Sequence, residues 1–160
     1  MTQPQPVLRP TSPATLVAAA LASASVSWVL ISSDYGSMPI PPWLLAGTLF
    51  VLGLTEMVLA RGAAARIARK PGRPPVEPLQ MARLVVLAKA SSVVGALFGG
   101  YAVGVLIYLL LERSRLIYPD RDLPETIATV VAAIVLVIAA LWLEHSCRVP
   151  KRPDDEETPT

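Results

Sequence analysis

Residues 84–111 read LVVLAKASSVVGALFGGYAVGVLIYLLL, 28 residues with a single charge, Lys89, and four glycines, Gly95, Gly99, Gly100 and Gly104. An apolar run this long is a membrane span, since about 20 residues of helix cross the hydrocarbon core. The composition of the whole chain agrees. Of its 160 residues 53% are hydrophobic and 16% charged, whereas a soluble domain carries about 25% charge. The chain therefore has lipid as its solvent.

Three further apolar runs lie around the central one. Ser12-Pro13 is a helix start, with serine as N-cap and proline at the first helical position. Residues 13–32 then continue without a charge and are rich in small residues, among them Ala18, Ala22, Ser23, Ser25 and Ser27, which allow close helix contact. Ala22-Ser23-Ala24 resembles a signal-peptide cleavage site with Arg9 as the charged leader. The run continues through Trp28, Val29, Leu30 and Ile31, which favours a retained span. After the connection DYGSMPIPP (34–42) comes a span at 43–60 with one acid, Glu56. The fourth span is 123–143, opened by Asp122 and Glu125 as a capping box, with Pro124 in the first turn. The expected fold is all-α: four transmembrane helices in an antiparallel bundle, residues 13–149. A disordered N-terminal tail (1–12) and an acidic C-terminal tail (150–160) flank it.

The prolines, 16 in all, fall outside the apolar runs or in first turns, so they mark boundaries. The basic residues set orientation. Arg9, Arg61, Arg66, Arg69, Lys70, Arg73, Arg83, Arg148, Lys151 and Arg152 lie on one side, and Arg113, Arg115 and Arg121 on the other. Positive charge stays inside, so both termini are expected in the cytoplasm of a plasma-membrane protein. The aromatics partly agree: Trp28, Tyr35, Trp43, Tyr108 and Tyr118 fall toward the outer interface, and Trp142 toward the inner one. Arg61, Arg66, Arg69, Lys70 and Arg73 also suit anionic lipid headgroups. They lack the interleaved aromatics of a single-strand nucleic-acid platform.

Topology places the intramembrane charges in depth. Glu56 precedes Arg61 by five residues, about 7.5 Å, and Lys89 follows Arg83 by six, about 9 Å. Opposite charges at one level on antiparallel helices predict a pair. A register-fixing pair or two snorkelling side chains are favoured over an ion- or proton-coupled site, because both charges are shallow. Glu144 and His145, before Ser146 and Cys147, close the fourth helix near the same level and complete a polar cluster of Glu56, Lys89, Glu144 and His145. Residues two apart on a helix do not face each other, and zinc needs three or four ligands, so no metal, cofactor or catalytic site is expected here. Along the central span Ser92, Ala96 and Gly100 share a face with Lys89, and Ser91, Gly95 and Gly99 form a parallel strip. Such small-residue ladders admit a neighbouring helix, within the protomer or in a homo-oligomer.

Val86-Leu87-Ala88-Lys89-Ala90-Ser91 with the glycines after it, and Ala140-Leu141-Trp142-Leu143-Glu144-His145 followed by Cys147, resemble two motifs of an actinobacterial membrane-protein family known as domain of unknown function 3180. Glu56 falls where that family carries an acid. The resemblance spans about residues 14–149. It implies a four-helix inner-membrane protein and supplies no activity. The sequence thus favours a non-enzymatic accessory or scaffold subunit with a membrane-protein partner. The alternative is a small oligomeric transporter or channel using Glu56 and Lys89.

Overall fold

The computed structural model describes residues 12–34, 42–67, 78–112 and 119–147. They form four helices: α1 (Pro13–Asp34), α2 (Pro42–Ile67), α3 (Pro78–Leu111) and α4 (Pro119–Ser146). Each is long and apolar enough to cross a membrane. The two tails, with Arg9, Arg148, Lys151 and Arg152, lie outside the described residues, as do Tyr35, Arg69, Lys70, Arg73 and Tyr118.

The helices overrun the apolar runs that announced them. α2 continues seven residues past Ala60 through RGAAARI, where the helix formers Ala and Arg outnumber the one glycine, and α3 starts six residues before Leu84. At α1 the boundary is the expected one. The Ser12 carbonyl accepts from Thr15 and Leu16 N–H at 3.1 and 3.4 Å, and Pro13 opens the helix. At α4 the expectation needs correcting. The helix begins at Pro119, so Asp122 is no N-cap and Pro124 stands inside the helix. Pro119 takes the first-turn position, and the carbonyls of Asp122 and Glu125 accept the hydroxyls of Thr126 and Thr129 at 2.8 and 3.0 Å.

Successive helices alternate in direction, but they pack in the order α1–α3–α4–α2. α1 and α2 do not touch, and α2 meets α3 at only a few residues. Packing neighbours are therefore mostly parallel. Ser23 Oγ donates to the Leu97 carbonyl at 2.7 Å and Ser27 Oγ to the Tyr101 carbonyl at 3.0 Å, both across 74 residues. A constant offset means α1 and α3 run the same way. α3 and α4 are antiparallel: Cβ atoms built on Gly95 and Gly99 would meet Val137 and Ala133 respectively.

The two small-residue ladders of α3 serve two different helices. Gly95 and Gly99 face α4, while Gly100 and Gly104 face the backbone of α1 at Ala20 and Ala24. A Cβ on Gly104 would stand 2.6 Å from the Ala24 carbonyl oxygen. With no hydrophobic drive between helices in lipid, such close backbone approach and the serine hydrogen bonds hold α1 in place. Of the small residues noted on α1, Ser23 and Ser27 lie in this contact, and Ala18, Ala22 and Ser25 are exposed. Farther along, Trp28 meets Tyr108 edge-on, with ring centroids 5.7 Å apart at 79°. Ile31, Val105 and Leu109 form a buried cluster beside them.

Candidate functional site

The buried positions of α2 are Ala46, Leu49, Gly53, Glu56, Ala60 and Ala63. They alternate three and four apart, the heptad spacing that keeps one seam against a partner helix. The partner is α4: Leu49 packs with Ala132, Ala133 and Leu136. A Cβ on Gly53 would lie 3.2 Å from the Leu136 backbone. Lower down, Ala60 and Ala63 join Leu143, Cys147, Ala88 and Met81 in one cluster. Glu56 thus occupies a seam position where a small or apolar residue belongs, and it is fully buried.

Neither carboxylate oxygen of Glu56 accepts a hydrogen bond, from Lys89 or from any other described residue. The expected Glu56–Lys89 pair is not made. Depth alone had matched the two, but α2 and α3 both pack on α4 and have little contact with each other. Lys89 is exposed, while Glu56 points into the α2–α4 seam. Ser91 of α3 stands beside Glu56, outside hydrogen-bonding geometry. The other members of the expected cluster differ in exposure. Glu144 is buried and His145 exposed. Neither Lys89 nor Glu144 is without an interaction. A buried polar group without partners costs roughly 1–3 kcal/mol. Glu56 is therefore held at the expense of stability, which marks it as the residue most in need of a functional reason.

Below this level the polar contacts belong to the helix ends. The Arg61 guanidinium lies 5.8 Å from the centroid of the Trp142 ring, joining α2 to α4. Arg66 Nη1 donates to Gln80 Oε1 at 3.0 Å, joining α2 to α3. The sequence points Arg66 toward lipid headgroups and carries no sign of its contact with Gln80. Gly53 carried a usable signal, since it belongs to the heptad series with Ala46, Ala60 and Ala63.

Cys147 is buried one residue past the fourth span, and burial pushes its thiol up from the ordinary range. A raised thiol holds less thiolate at neutral pH, and thiolate is the reacting form. Maleimide should label Cys147 more than tenfold slower at pH 7 than a cysteine placed at exposed position 145, with the rate still climbing at pH 9. Equal rates at pH 7 would contradict the enclosed position. Among the described residues no group of three or more His, Cys, Asp and Glu stands together to hold a metal ion.

No curated protein and no solved structure matches this chain. A family model does: it covers residues 16–151, most of the chain, with the last three spans whole and the first from Leu16 onward. The protein belongs to the family described as "Protein of unknown function (DUF3180)".

Proposed function

We propose that this protein is a multi-pass plasma-membrane subunit with both termini in the cytoplasm. It acts as a non-enzymatic accessory or scaffold for another membrane protein. The orientation rests on the unequal division of lysine and arginine between the two sides. The observation that carries the scaffold reading is the helix order. α1 and α2 each pack mainly on one neighbour. Long apolar faces are left over, with Leu21 and Val29 on α1 and Val51 and Val58 on α2 all strongly exposed. Glycine and serine contacts hold the row itself, so those outer faces are available to lipid or to a second protein.

A photo-crosslinking residue placed at Leu21, Val29, Val51 or Val58 in living cells tests this. The expected result is one heterologous product of defined mass from one face, absent from the other. Lipid adducts alone from all four positions would end the scaffold reading.

The second reading, a small oligomeric transporter, draws support from the unpartnered carboxyl of Glu56 alone, now without Lys89. In a Cys147→Ser background, Ala60→Cys one turn from Glu56 should resist a charged, water-borne thiol reagent in intact membranes. Rapid labelling, together with homotypic crosslinks, would favour transport.

A further inference from the structure

Among the described residues, two of the cavities that open on the surface stand out. One, of about 350 Å³ between α1, α3 and α4, is walled by apolar residues such as Leu16, Ala20, Gly99 and Val137, and nothing shows what covers it. The other is chemically specific. It lies where α2 ends and α3 begins, has a volume of about 450 Å³, and combines an apolar wall with two arginines. Leu59, Ala63, Met81 and Leu84 form the wall, and Arg66, Gln80 and Arg83 add the polar groups.

We propose that this cleft binds the phosphodiester headgroup of an anionic phospholipid, with the start of an acyl chain against its apolar wall. The inference rests on the membrane reading above and adds a ligand to it. Position is the first argument. Arg66 is the last residue of the second span, and Gln80 and Arg83 lie in the first turns of the third. The cations thus stand at the bilayer boundary, where lipid phosphates are, and the apolar wall lies along the spans. Chemistry is the second. The Arg66 side chain spends Nη1 on Gln80, while its buried Nε–H has no acceptor among the described residues. Gln80 Oε1 accepts from Arg66, and the amide nitrogen of the same side chain is a further donor type in the cleft. Arginine donors in a planar fork match phosphate oxygens, and basic pockets between spans are known to take anionic headgroups. Among the described residues no acid lines the cleft. Gly62 leaves room at its edge, since a Cβ there would meet nothing within 4 Å.

Native mass spectrometry of the full chain in detergent, with added phosphatidylglycerol or phosphatidylcholine, tests the site. One phosphatidylglycerol should stay bound to the wild type, and phosphatidylcholine should not. Arg66→Gln with Arg83→Gln should lower retention about tenfold, in line with the strength of charge-assisted hydrogen bonds. Gly62→Leu, which blocks the cleft while leaving both arginines, should lower it comparably. Helical circular dichroism and monodisperse elution report that each variant folds. Equal retention of phosphatidylcholine would overturn the proposal, as would unchanged retention in both variants or displacement by inorganic phosphate. So would an equal loss on replacing Arg69 and Arg73, which would assign the binding to diffuse charge. Resistance of the cellular protein to carbonate extraction reads the membrane assignment separately. If insertion holds and lipid selectivity does not, only the cleft inference fails.

Discussion

Replacing Gly100 by alanine is expected to lower the unfolding free energy by about 3 kcal/mol, and replacing it by leucine to release α1 from α3. Overpacking of this kind costs 1–3 kcal/mol when neighbouring side chains can yield. Here they cannot, because the added Cβ collides with the Ala20 backbone, including its carbonyl oxygen. Helix backbone does not swing aside as a side chain does. The collision also threatens the hydrogen bonds from Ser23 and Ser27 to the α3 carbonyls, which require the same close approach. Thermal unfolding in detergent, with limited proteolysis of α1, measures the effect. Gly47→Ala is the internal control. A Cβ at Gly47 meets nothing within 4 Å, and alanine is the better helix former by about 0.5 kcal/mol or more, so no loss is expected. Equal behaviour of the two variants would refute the account of α1 docking.

Removing the acid at position 56 is expected to act in the opposite direction. Glu56→Leu should stabilise the protein by about 1–3 kcal/mol, because it removes an enclosed polar group whose oxygens have no partner and keeps the seam filled. Glu56→Gln keeps the shape but leaves a polar group in the same place, so it should change stability little. Glu56→Lys should abolish folding, and adding Lys89→Glu should not rescue it, since the two positions form no pair. Denaturation of purified variants in detergent decides. Restoration by the charge swap would reinstate the pair expected from depth. A stable Glu56→Leu protein that fails in cells would show that the acid is kept for function, the usual sign of a residue that costs stability.

The four spans were legible because their signal is one-dimensional. A run of about 20 apolar residues crosses a bilayer whatever its neighbours are, and prolines and charges mark its ends. The helices themselves were longer than the runs, because Ala and Arg in RGAAARI extend α2 without being apolar enough to signal a span. Which helix lies against which was not legible. In lipid the outer face of a helix is as apolar as its packed face, so hydropathy gives depth along the axis and almost no direction around it. That is why Glu56 and Lys89 matched in depth and yet failed to meet. The heptad series through Gly53 and Glu56 contains a direction for α2 but does not say that α4 is the helix it faces. The glycine ladders of α3 showed that helices would approach closely. Only the tertiary structure decided that one ladder takes α4 and the other α1. Sequence by itself determined the number and the alternation of the spans, because these follow from local chemistry and the bilayer's thickness. The order α1–α3–α4–α2, the enclosure of Glu56 and the cleft between Arg66 and Arg83 arose only when distant small residues let particular backbones come together.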